Sequence, residues 1–270
     1  MIDDSCWRFA QTSVVGTSHL QRGLPCQDAS DCRILTSSDG DEVLVAIVSD
    51  GAGSAVRGHD GSQLACDLLI AEIEQWLRDG ATLGNFTRDF MSSWLVRFQQ
   101  RVGEESDAHA LGRRDYACTV LAAIVGVDAA ALFQIGDGVI VWSDQATPDD
   151  YCWVFWPQQG EYANSTYFAT DPSASERFEY TWLEETVVRI GLLTDGLQPL
   201  ALHYESRSVH QKFFQPLFLT LERRSSGYSR SVTMALRRLL NSARVNERVD
   251  DDKTLLIATR DTMLEATCEN

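Results

Sequence analysis

Apolar positions along the chain change period several times, and the changes mark its elements. Val43 to Val48 is apolar on both faces, as in a strand covered on two sides, and Trp7 to Val15 also reads as a strand. After Gly58 the period becomes helical. Leu64, Ala65, Leu68, Leu69, Ile73, Trp76 and Leu77 share one stripe, and Phe86, Phe90, Met91, Trp94, Leu95 and Phe98 form a second. Gly80 and Gly84 separate these two helices, and Gly103 is expected to close the second.

The chain then returns to strands. Tyr116 to Val125, Ala130 to Gly136, Val139 to Ser143 and Tyr151 to Trp156 are split by short turns, including Gly136-Asp137-Gly138, and predict an antiparallel meander. Pro157 to Arg177 is polar and irregular, and a loop of that length is usually a functional cover or mobile. Thr186 to Thr194 is a further strand, Val209 to Leu221 and Arg230 to Leu240 are helical, and Lys253 to Thr259 is a closing strand. Strands bracketing paired helices point to an α+β sandwich, with residues 1–270 forming a single domain.

Composition narrows the function. With 44% hydrophobic residues in 270, the chain can bury a large core. Its 23 basic and 39 acidic residues leave a net charge of −16, which repels phosphate backbones and argues against nucleic acid as a partner. No apolar run approaches the 18 or so residues of a membrane span, and the acidic start MIDDSCWRFAQTS lacks the regions of a secretory signal. Seven scattered cysteines with no CxxC pair read as reduced thiols in a cytoplasm. A zinc site using Cys26, Cys32 and a histidine fits no standard finger spacing.

Candidate chemistry lies at the strand ends. The apolar run VLVAIVSDG ends in Asp50-Gly51, VRIGLLTDG ends in Asp195-Gly196, and DDKTLLIAT starts from Asp251-Asp252. Asp28 follows Gln27, and Asp137 lies in the QIGDG turn. Buried strands draw their tips toward one rim, where several carboxylates repel one another unless a hard cation with oxygen ligands, Mg²⁺ or Mn²⁺, offsets them. A single Asp-Gly after a strand is more often a plain turn. Two such tips with an Asp-Asp at a strand start shift the balance toward a metal site.

The order His19…Gln27-Asp28, Ser49-Asp50-Gly51-Ala52-Gly53, Cys118-Thr119, Gly136-Asp137, Leu193-Thr194-Asp195-Gly196 and Asp251-Asp252-Lys253-Thr254 resembles the metal-dependent serine/threonine protein phosphatases of the 2C family, in their bacterial branch. The likeness runs from Gly16 to Thr259. It implies a four-layer α-β-β-α sandwich, with two central antiparallel sheets flanked by helix pairs and two Mg²⁺ or Mn²⁺ ions at one end. By the same resemblance Asp50 would bridge both ions, the Gly51 carbonyl would bind one, and Asp195 and Asp251 would complete the other. Asp28 would accept hydrogen bonds from metal-bound water, Asp137 would help hold a third ion, and Thr119 would be structural. Pro157 to Arg177 corresponds to the family's flap.

Three departures from the family pattern stand out. Gln27 replaces the usual glutamate, Gly53-Ser54 replaces a glycine pair, and Gly23 stands where many members carry a phosphate-gripping arginine. His19 and Arg22 are the candidates for that lost role; a histidine there would make binding depend on its proton. The reaction implied is hydrolysis of phosphoserine or phosphothreonine in proteins by a hydroxide bridging the two metals, without a covalent intermediate. The chain contains neither a C-x5-R loop nor a DxDx[TV] motif. The expected setting is a cytoplasmic monomer acting on phosphoproteins opposite a serine/threonine kinase. The alternatives are a pseudo-phosphatase that binds a phospho-ligand without turnover, and a hydrolase of small phosphoesters.

Overall fold

A computed structural model describes residues 6–158 and 166–261. In chain order, β1 (Trp7–Val14) and the short α1 (Thr17–Arg22) precede β2 (Ala29–Thr36) and β3 (Glu42–Ser49). The long helices α2 (Gly58–Arg78) and α3 (Arg88–Ala108) lead to β4 (Val120–Val125), β5 (Ala130–Ile135), β6 (Val139–Asp144) and β7 (Cys152–Trp153). Next come α4 (Ala174–Arg177), β8 (Glu179–Leu183), β9 (Val187–Leu193), α5 (Gln198–Ala201), and the ribbon β10 (Leu202–His203) and β11 (Ser208–Val209). The chain closes with α6 (Gln211–Glu222), β12 (Gly227–Tyr228), α7 (Arg230–Leu240), α8 (Ala243–Asn246) and β13 (Lys253–Arg260).

The alternation of side chains along β3 builds the layers. Val43, Val45 and Ile47 pack with Leu69, Ile73, Trp94 and Phe98 of the first helix pair. Leu44, Ala46 and Val48 point the other way, into a second core with Ile140, Ile190, Leu192 and Leu256 of the facing sheet. That sheet turns Val139, Val141, Leu193, Leu255 and Ile257 outward onto Phe214, Phe218, Val232 and Leu236 of α6 and α7. The result is the four-layer α-β-β-α sandwich. The sheet ordered β2-β3-β4-β5-β8 is antiparallel throughout. The sheet ordered β12-β1-β13-β9-β6-β7 is mixed, because the two-residue β12 runs parallel to β1.

The expected meander is corrected. β4 and β5 form a hairpin, but β6 belongs to the other sheet, so Gly136-Asp137-Gly138 is a crossover rather than a hairpin turn. Gly136 has φ 108°, and a Cβ there would overlap the Thr119 side chain. Gly103 does not close α3, which continues to Ala108; this glycine lies on a buried face against the Arg113 guanidinium. Of Tyr151 to Trp156 only Cys152–Trp153 pairs as strand, and Tyr116 to Thr119 precede β4. Val209 pairs with Leu202 instead of starting α6. Residues 159–165 of the expected flap lie outside the described residues. Its flanks are packed: Ala169 N–H donates to the Cys118 carbonyl, and Ala169 and Ala174 join the first helix-pair core.

Candidate metal centre

The strand registers gather the acids at one end of the sandwich. Ala29 pairs with Ser49, which sets Asp28 beside Asp50, and Val139 and Leu255 both pair with Leu193, which aligns Asp137, Asp195 and Asp251. Asp28 and Asp50 come from one sheet, Asp195 and Asp251 from the other, and Asp137 from the crossover between them.

Backbone anchors hold Asp50 in place. Its N–H donates to Thr119 Oγ1 at 3.1 Å, and its carbonyl accepts from Thr119 N–H at 2.8 Å. Gly51 N–H donates to the Gln27 carbonyl, which also accepts from Ser62 Oγ at 2.5 Å. A side chain at Gly51 would overlap the Gly58 and Gln27 carbonyls, so only glycine allows α2 to start this close to the strand end.

The acids are crowded and poorly hydrated. Burial, and then the negative charges of Asp28 and Asp195, raise the Asp50 carboxyl well above the usual carboxylate range; Asp50 and Asp195 are in direct side-chain contact. Burial also raises Asp195, pushes Asp28 up to about 8, and pushes Asp137 up to about 7. Asp28 Oδ2 accepts from Thr194 Oγ1 at 2.9 Å and is bonded to Thr254 Oγ1 at 2.7 Å. The Oδ1 atoms of Asp28 and Asp195 are buried without any partner. Unpartnered acceptors converging from several strands are a donor set suited to hard divalent cations.

A neighbouring acid behaves differently. Asp252 is buried, and its carboxylate accepts from Gly16 N–H and Gln27 N–H, each at 2.6 Å, and from His19 Nδ1 at 2.9 Å. Sequence reasoning passed over it, because nothing in Asp251-Asp252 says which residue turns inward. The donors of His19, Asp251 and Asp252 lie within 4.8 Å of one another, but the Asp252 oxygens are already engaged. Asp251 is exposed, and its Oδ1 accepts from Asp252 N–H.

The departures acquire physical reasons here. Gln27 Nε2 donates to the Ala55 carbonyl at 3.1 Å, a bond no glutamate carboxylate could make. Gly23 caps α1 with φ 69°, a left-handed conformation that would strain an arginine. His19 is buried in α1 with Nδ1 committed to Asp252, whereas Arg22 at the end of α1 is exposed, its Nε donating to the Ser18 carbonyl.

A two-sheet sandwich with carboxylates collected at one end of the sheet interface is here the architecture of a serine/threonine phosphatase. The chain belongs to the Protein phosphatase 2C family, whose model matches residues 15–241. It is 37% identical over 253 residues to Serine/threonine-protein phosphatase 3 of Escherichia coli (strain K12), covering 93% of this chain and 98% of that one. Among solved structures, the fold is similar to PppA, a key regulatory component of T6SS in Pseudomonas aeruginosa, at TM-score 0.63 and 18% identity over 95% of this chain and 99% of that one. It is also similar to the serine/threonine phosphatase Stp1 of Staphylococcus aureus, at TM-score 0.62 and 14% identity over 97% and 96%.

Proposed function

We propose that this member of the family hydrolyses phosphoserine and phosphothreonine in proteins with two Mg²⁺ or Mn²⁺ ions. The observation that carries the reading is the set of acids that the two sheets bring to one end, with buried Asp28 and half-buried Asp195 each keeping an unpartnered oxygen. Asp50 would be shared between the ions, with the Gly51 carbonyl on one and Asp195 and Asp251 on the other; Asp137 would contribute to a third. Such cations would offset carboxylate repulsion and lower the pKa of bound water toward neutrality, which would supply the nucleophile.

The chain's own groups do the positioning. Asp28, its Oδ2 held by Thr194 and Thr254, keeps Oδ1 without a partner and would offer it as acceptor to the attacking water. Thr119 locks the backbone of Asp50. On α1, the His19 ring has its Nδ1 engaged by the Asp252 carboxylate, which leaves Nε2 alone for any other partner. We assign the phosphate contact to Arg22, which is exposed at the end of α1 and stays charged at any physiological pH. Cys26 does not compete as nucleophile, because burial, and then the charges of Asp28 and Asp252, raise its thiol far above neutrality.

Six free thiols among the described residues suit a reducing cytoplasm, where a serine/threonine kinase would supply the substrate. The test is turnover of an aryl phosphate and of a phosphopeptide by chelated protein titrated with Mn²⁺ or Mg²⁺. Activity should vanish with chelator and return with either ion. Full activity in excess chelator would overturn the mechanism, and metal binding without turnover would favour a phospho-ligand binding module.

A further inference from the structure

We infer that the outer face of α7 and α8 is a docking surface for an acidic segment of the phosphoprotein substrate, an inference that rests on the protein phosphatase reading above. Residues 223–248 contain seven arginines and one acid, Glu247, so this stretch carries +6 in a chain of net charge −16. Arg223 and Arg224 follow α6. Arg230, Arg237 and Arg238 lie on α7, opposite the face that buries Val232, Leu236 and Leu240. Arg244 and Arg248 sit on and just beyond α8. All seven are exposed, and among the described residues none forms a side-chain ion pair with an acid.

The opposite helix layer shows that this is not the habit of the whole surface. Residues 58–108 hold nine acids and four arginines, and Arg78, Arg97 and Arg101 there are paired with Glu74, Glu72 and Glu104. That layer is acidic and pairs three of its four arginines, whereas the α7–α8 layer keeps its cations out of ion pairs. On a molecule otherwise of negative sign, this face attracts an acidic peptide. Arginine in place of lysine suits bidentate contact with carboxylates, and Met234, 45% exposed between Arg230 and Arg237, adds an apolar hold.

The face also leads to the centre. Arg248 lies three residues before Asp251, Ser18 N–H of α1 donates to the Asp250 carbonyl, and Asn246 of α8 accepts from Lys253 Nζ at 3.1 Å. A peptide lying along α7 and α8 thus ends at the rim that holds Asp251, with its phosphoresidue at the cleft.

The experiment compares full-length protein with R237E/R238E and R244E/R248E on two phosphopeptides, one flanked by acids and one by neutral polar residues, and on an aryl phosphate. Each double reversal should raise KM for the acid-flanked peptide roughly tenfold, leave the aryl phosphate unchanged, and weaken the effect of added salt. Anisotropy of an unphosphorylated acidic peptide, which needs no turnover, should show binding to wild type and its loss in both variants, so docking is judged even if hydrolysis fails. Equal KM for the two peptides in wild type would overturn the proposal. So would equal losses on all three substrates, or RNA displacing the acidic peptide at lower concentration than the peptide itself does, which would mark a nucleic-acid surface.

Discussion

Asp252 and Asp50 stand at the same end of the sandwich and answer burial in opposite ways. Asp252 accepts three hydrogen bonds, from Gly16, Gln27 and His19, and so ties the segment after β1, the turn before β2 and the start of β13 together. Asp50 faces Asp195 and the charges of Asp28 and Asp137, and the partnerless Oδ1 atoms belong to its neighbours Asp28 and Asp195. A carboxylate surrounded by donors is a staple of the fold. A carboxylate surrounded by carboxylates lowers stability and is held in place by its surroundings, which is what a site for cations requires.

The comparison is broken most sharply by removing one acid from each side. Asp50→Asn should cut turnover at least about 100-fold, while the melting temperature of the metal-free protein holds or rises because a repelling charge is gone. Asp252→Ala should do the reverse in stability. It strands three donors and should cost about 3 kcal/mol, read from denaturant unfolding of the metal-free protein. If Asp50→Asn destabilised as much as Asp252→Ala, the division into staple and site would be lost.

The pH response sharpens the same contrast. Asp28 and Asp137 have folded-state values of about 8 and about 7, raised above the unfolded carboxylate range near 4. The folded state therefore holds protons that the unfolded state has released, and stability falls as pH rises from about 4 through 7 and 8. The metal-free protein should melt at progressively lower temperature across that window. Saturating Mn²⁺ should flatten or invert the trend, since the cation replaces the protons. A pH-independent melting temperature in chelator would mean that these acids are already compensated.

How much of this was legible in the sequence depended on whether a feature is local. Asp50, Asp195 and Asp251 announced themselves because each ends or starts an apolar run, and Arg230–Leu240 reads as a helix from its period alone. The partition of β5 and β6 between sheets did not, because Gly136-Asp137-Gly138 carries turn chemistry whether the chain folds back or crosses over. β2 was missed because only two of its residues, Ala29 and Cys32, are buried, and α1 because its six residues bury His19 alone and have no apolar stripe. The inward turn of Asp252 depends on donors from Gly16, Gln27 and His19, more than two hundred residues away in the chain.

The smallest expected effect comes from Gln27, which stands between the two sides. Its main chain joins the staple, through N–H to Asp252, and supports the site, through its carbonyl to Gly51 N–H and Ser62; its side chain donates from Nε2 to Ala55 and leaves Oε1 buried without a partner. Gln27→Glu keeps the shape, exchanges the donor for an acceptor facing a carbonyl, and adds a negative charge beside the acids. The metal-free protein should lose about 1–2 kcal/mol, from one hydrogen bond lost and one repulsion gained. Cation affinity should rise a few-fold, measured by calorimetry, because the added carboxylate attracts what the existing acids attract. A variant that lost stability without gaining affinity would place Gln27 wholly on the side of Asp252, and the boundary between staple and site would then run between Gln27 and Asp28.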